Sequence, residues 1–224
     1  SNAAVEGGML QLAARCGIRV PDVRVEAVGL EQVLLVKRFD RVPFEDGELR
    51  HRMVSALTVL NLDDSVTDRS GWSYLAFADE IQRWSEEPVL DKRELFRRIV
   101  FNALISNTDD HPRNHAMLAS GGGWRLSPAY DLTPSAVRSI EHRDLAMMAG
   151  TLGRLASREN LLSGALRFGM EIAEANATID EIKAIIEEYW RPEIVALGGE
   201  EEDCDSVRGA FIYPGFEIRR NPTE

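Results

Sequence analysis

The chain has almost no cysteine. Cys16 and Cys204 are the two in 224 residues. They lie far apart and outside any metal-ligand spacing, which argues against a disulfide framework or a cysteine zinc site and for two reduced thiols in a cytoplasmic protein. No apolar run approaches the roughly 20 residues of a membrane span, and no secretory signal is visible, so no membrane association is expected. Ser1-Asn2-Ala3 has the look of a tag remnant, which leaves targeting unread. Cations are in short supply: 26 Lys and Arg against 37 Asp and Glu give a net charge of −11, which opposes direct binding to nucleic acid. Part of that excess lies in Glu200 to Asp205, read as a solvated acidic loop. No internal repeat is present. What remains, 44% apolar and 28% charged residues, suits one globular domain or a small lobe joined to a larger one.

The informative stretch is Asn102 to Ser135, NALISNTDDHPRNHAMLASGGGWRLSPAYDLTPS. Upstream of it Leu95, Phe96, Ile99, Val100, Ala103 and Leu104 recur on one helical face. Asn107 suits a helix end, and Pro112 keeps His111 out of the α region, so Asp109, Asp110, His111 and Asn114 fall on an irregular loop rooted in a buried helix. The short apolar runs His115 to Leu118 and Trp124 to Leu126, around Gly121-Gly122-Gly123, predict a β-hairpin. A second carboxylate, Asp131, follows it directly. Phosphoryl transfer needs this kind of set: a carboxylate that orients the attacking hydroxyl, and oxygen ligands for the Mg²⁺ that neutralises the phosphates. In protein kinases a loop Asp is followed five residues later by a metal-binding Asn, and a second metal-binding Asp follows a hairpin. Asp109, Asn114 and Asp131 stand in that order and at that spacing.

NTDDHPRN and WRLSPAYDLTPS resemble the catalytic and metal-binding motifs of the HipA-like serine/threonine kinases, the toxin half of bacterial toxin–antitoxin pairs. LLVKRFDR (Leu34 to Arg41) and VPDVRVEAVG (Val20 to Gly29) resemble the same family's earlier segments, in the family's order. The likeness runs from about Glu6 to about Trp190. It implies an α+β, mainly helical fold: a kinase-like large lobe with one functional hairpin, and a remnant of a small β-containing lobe. It implies transfer of the ATP γ-phosphoryl group to a Ser or Thr of a protein substrate. Asp109 and His111 would be catalytic, and Asn114 and Asp131 would hold Mg²⁺. Val36, Lys37, Arg38 and Phe39, with His111, Pro112, Arg113, Asn114, Tyr130 and Asp131, would contact ATP. A DNA-binding antitoxin is the implied partner. Asp110 is read as capping or solvent-bound, so that its removal should be mild.

Elsewhere the sequence predicts a helix over Ala4 to Cys16 stopped by Gly17, strands over Val20 to Gly29 and Gln32 to Phe39, and a loop over Asp63 to Gly71. Helices are expected over Arg50 to Leu60, Ser73 to Ser85, Asp91 to Ser106, Arg158 to Phe168 and Thr178 to Tyr189. Asp91 with Glu94 suggests a capping box, and Asp180 and Glu181 a favourable helix start. The expected divisions are a tag remnant at 1–3, a partial small lobe and hinge at 4–41, a helical catalytic lobe at 42–197 and an acidic, largely irregular tail at 198–224. By the same resemblance, Glu6 falls where the kinase helix Glu pairs with a phosphate-binding Lys. That Lys and the Gly-rich loop are not in the sequence, so these residues alone are expected to be inactive. Two rivals follow. One is a kinase relic that binds nucleotide or a partner without catalysis. The other is a zinc hydrolase built on His111 and His115, which would need a helix running through Pro112.

Overall fold

The computed structural model describes residues 2–64, 69–135 and 139–218. Ser1 of the expected tag remnant, 65–68 of the expected loop and 219–224 of the expected tail lie outside the described residues. The first helix, α1 (Asn2–Arg15), buries Val5, Met9, Leu10, Leu12 and Ala13. It stops at Gly17, whose φ of 73° is the left-handed turn that glycine takes without penalty. Strands β1 (Val23–Val28) and β2 (Glu31–Val36) pair antiparallel, with Val25 opposite Leu34, and Gly29 turns between them at φ 66°.

The chain then departs from expectation. The residues from Arg50 onward do not start a long helix. A second hairpin, β3 (Arg41–Phe44) with β4 (Gly47–Arg50), is followed by β5 (Met53–Ser55) and only a four-residue helix, α2 (Ala56–Val59), capped by Ser55. The three residues of β5 take their ladder from β6 (Ala116–Ser120), some sixty positions on, and no local pattern could announce that partner. β6 pairs in turn with β7 (Gly123–Leu126), the hairpin read from the sequence; its turn residues Gly121 and Gly122 have φ of 64° and 116°.

The helical layer is α3 (Tyr74–Trp84), capped by Ser73, and α4 (Pro88–Leu104). α4 starts three residues before Asp91, with Pro88 in its first turn and Glu87 as cap, so the expected Asp91–Glu94 capping box does not form. Asp91 is instead buried inside the helix. It accepts from Arg125 through both oxygens (3.0 and 3.0 Å), from Ser85 Oγ (2.6 Å) and from the backbone N–H of Leu126 (2.9 Å), and so bolts β7 to α4. Behind α4 lie α5 (Arg158–Ser163), a 3₁₀ turn at Ala165–Phe168, and α6 (Ile172–Ala196). α6 begins well before the expected Thr178; Glu174, not Asp180 or Glu181, sits in its first turn. Gly8 of α1 faces α6 so closely that an added Cβ would stand 2.9 Å from the Ile194 backbone.

The acidic run is not an irregular loop. Glu201–Val207 forms a helix, α7, closed by a capping box between Glu200 and Asp203, because carboxylates at a helix start meet its free N–H groups. Two 3₁₀ turns, Arg208–Ala210 and Pro214–Glu217, complete the described tail. Among the described residues no helix is long and apolar enough to cross a membrane.

Candidate active site

α4 delivers the loop. Its last turn closes with the N–H of Asn107 on the carbonyl of Asn102 (2.8 Å) and that of Ser106 on Ala103 (3.4 Å). The left-handed residue is Ser106 (φ 54°), one before the Asn107 that the sequence suggests for this role. The chain leaves as Thr108-Asp109-Asp110, then His111 in extended conformation (φ −91°, ψ 168°), then a single 3₁₀ turn at Pro112–Asn114. His111 and His115 are therefore not on one helical face. The His111 ring stands edge-on to Trp72, with centroids 6.4 Å apart, and His115 Nε2 lies 2.8 Å from Asp110 Oδ2.

Asp109 is exposed and Asp110 is 1% exposed. Asp110 Oδ2 accepts from Tyr74 Oη and from Asn102 Nδ2 (2.7 Å) as well as meeting His115. Burial pushes its pKa up, but the charge and hydrogen bond of His115 and the Tyr74 hydroxyl outweigh this and hold it below the usual value. The expectation that Asp110 caps or faces solvent is corrected: it is the centre of a buried polar cluster. Asn114 is buried and its N–H bonds the His111 carbonyl (2.9 Å).

One cleft of about 520 Å³ gathers residues from distant parts of the chain. Glu6 and Leu10 of α1, Val36 to Asp40 after β2, Met53 of β5, Arg113, Tyr130 and Asp131 line it. Its aromatic wall is Phe39 stacked on Tyr130 (5.8 Å, 27°), and Tyr130 Oη donates to the Arg113 carbonyl (2.8 Å). Burial pushes the Tyr130 hydroxyl up to about 12. Burial, and then the charge of Asp131, raise the pKa of Glu6. Arg38 grips Asp40 through two bonds (2.7 and 2.6 Å), and Arg113 pairs with Asp64. Of the residues expected to contact nucleotide, Val36, Lys37, Arg38, Phe39, Arg113, Tyr130 and Asp131 line the cleft. His111, Pro112 and Asn114 are not in its lining, nor is Asp109. Leu10 and Met53 went unread in the sequence, and Asp40 was read as part of the segment after β2 but not as a site residue; Leu10 lies one helical turn after Glu6 and had a usable signal.

The family model of the HipA-like C-terminal domain matches residues 1–190. The chain belongs to that family. It is 28% identical over 153 residues to the serine/threonine-protein kinase toxin HipA of Shewanella oneidensis, a match covering 62% of this chain and 35% of that protein. The chain spans about a third of the length of the curated relatives it matches. Its fold resembles the HipA of the Shewanella oneidensis HipA, HipB and operator DNA complex, with a TM-score of 0.75 and 21% identity over 92% of this chain and 52% of that one. It also resembles the Helicobacter pylori proinflammatory kinase CtkA, with a TM-score of 0.55 and 15% identity over 96% and 82% of the two chains. The family's fold here is α+β and mainly helical, a kinase-like lobe with small sheets, as the sequence reading expects.

Does the site suit Mg²⁺? Among the described residues no cluster of three or more His, Cys, Asp or Glu is gathered as a metal cage. Magnesium in phosphoryl-transfer sites takes only one or two carboxylates, the rest coming from phosphates and water. Glu6 and Asp131 both line one cleft, where burial first and the charge of Asp131 second raise the pKa of Glu6. An oxygen-rich, anionic corner of this kind fits a hard divalent cation.

Proposed function

We propose that this chain carries the catalytic centre of a serine/threonine protein kinase that moves the γ-phosphoryl group of ATP to a protein hydroxyl. The observation that carries the reading is the cleft: Val36 to Asp40 and, more than seventy positions on, Arg113, Tyr130 and Asp131 meet there with an aromatic wall and a carboxylate. ATP would lie with its adenine near Val36 to Phe39, just past the end of β2, and against Tyr130. Asp131 and Asn114 would hold Mg²⁺, which supplies charge neutralisation on the phosphates. Asp109, exposed on the loop, would accept the proton of the attacking hydroxyl, and His111 would donate a hydrogen bond to the transferring group.

The family relation supports a further reading, that the protein acts as the toxin of a toxin–antitoxin pair and is held by a DNA-binding antitoxin. A chain with net charge −11 would reach DNA through that partner and not by itself. The test is radiolabel transfer by the whole protein at saturating ATP and Mg²⁺. Asp109→Ala and Asp131→Ala should each lower the initial rate by at least about a hundredfold, since each removes an interaction worth several kcal/mol in the transition state. Near-normal turnover by Asp109→Ala would overturn the assignment of roles.

A further inference from the structure

Asp110 touches neither the cleft nor solvent, yet it is the most fully bonded side chain of the loop. Its donors come from three elements: Tyr74 of α3, Asn102 of α4, and His115 at the root of β6. From Asn102 the bonds continue. Asn102 Oδ1 accepts from Asn107 Nδ2 (3.2 Å), and the same Nδ2 lies 3.5 Å from the backbone oxygen of Asp131. Asn102 is 0% and Asn107 3% exposed, so water does not compete for these bonds. Asp131 at the far end has φ 57°, the left-handed backbone that aspartate enters more readily than most residues but that its surroundings must still support.

We propose that Asp110 is the positioning residue of the site: it fixes Asp109 through the shared backbone and Asp131 through the Asn102–Asn107 relay. The inference rests on the kinase reading, because it names what sets the presentation of the two carboxylates used there. A buried carboxylate with three donors from three elements is rigid in a way that a solvated loop residue is not, and bonded amide chains transmit that rigidity without touching the reactants. Residues that orient metal ligands from behind characteristically change metal affinity and rate together.

The experiment compares the full protein with Asp110→Asn and Asn107→Ala. Hydrogen exchange is followed over residues 128–134, and Mn²⁺ affinity with ATP present is read by the loss of its free-ion spectrum. In both variants exchange over 128–134 should quicken while α6 stays protected. Mn²⁺ affinity and kcat should each fall about 10–100-fold. KM for ATP, set chiefly by Val36 to Phe39 and Tyr130, which the variants do not touch, should stay within about threefold. Should Asp110→Asn fail to fold, Asn107→Ala decides, since it leaves Asp110 with all three donors. Unchanged exchange and Mn²⁺ affinity in Asn107→Ala, in a protein whose Asp131→Ala variant has lost metal binding and transfer, overturns the relay and leaves the kinase reading standing. Metal binding and transfer that survive Asp131→Ala remove the kinase reading and this inference together.

Discussion

Asp109 and Asp110 are chemically identical neighbours with opposite surroundings. One faces water; the other has exchanged water for a hydroxyl, an amide and an imidazole. Removing one partner of a buried charged cluster strands the rest, so Asp110→Ala should cost about 3–5 kcal/mol of stability. Asp109→Ala, at the surface, should change it by less than about 0.5 kcal/mol. Urea unfolding of both variants checks the pair, and equal midpoints would show the burial assignment to be wrong. The sequence separated the roles of these two residues but not their burial. Spacing picks out Asp109 through Asn114 and Asp131, but what buries Asp110 is a tyrosine on α3 and an asparagine on α4, and no pattern within the loop names them. The same holds for Asp91. An Asp followed three residues later by a Glu reads as a helix start, whereas its real partners are an arginine and an N–H on β7.

Elements show where local signals suffice. α3, α4 and the β6–β7 hairpin were legible because helix period and glycine turns act over a few residues, although the cap read for α4 was the wrong one. β5 was not, since its three residues become a strand only through β6. α7 went unread because its acidic run looks like a solvated loop until the capping box is seen. Two predictions belong at this scale. An added Cβ at Gly150 would stand 1.9 Å from the Asn160 carbonyl oxygen in α5. Gly150→Ala should therefore destabilise by about 1–3 kcal/mol, as overpacking does, and a thermal melt that is unmoved would contradict that contact. The turn Pro214–Glu217 is tied to α5 and α6 by Glu217, which accepts from Arg158 (2.7 and 3.0 Å) and Lys183 (2.9 Å). The Arg158 bond, opposed by burial and reinforced by Lys183, takes its pKa from 4.5 to about 2. A depressed carboxylate adds stability above its unfolded value and loses it as pH falls through the folded one. Glu217→Gln should thus be less stable than the parent above pH 4.5, with the gap closing towards pH 2. Partial exposure limits the gap to about 1 kcal/mol or less. Denaturant titrations across that range would read it, and a constant gap would contradict the assignment.

At the scale of the whole molecule, the tail is joined to the root of the loop. Arg143 donates to the carbonyls of Ser139 (2.9 Å), Gly209 (2.8 Å) and Ala210 (3.1 Å) and to Ser106 Oγ, with its guanidinium 4.5 Å from the Tyr213 ring centroid. The N–H of Ile212 bonds the Leu104 carbonyl (2.7 Å), at the last turn of α4. Ending the protein after Gly199 would open this clasp beneath Ser106. Transfer by the shortened protein should fall about tenfold or more, because small displacements of a reacting group are costly, and full activity would show that the clasp does not support the loop. Arg143 holds Gly209 and Ala210 by their main-chain oxygens. Such a grip takes main-chain oxygens alone, so Arg143 fixes the path of the chain at Gly209 and Ala210 without reading their side chains. The family profile stops at residue 190, and the folded chain continues to its clasp.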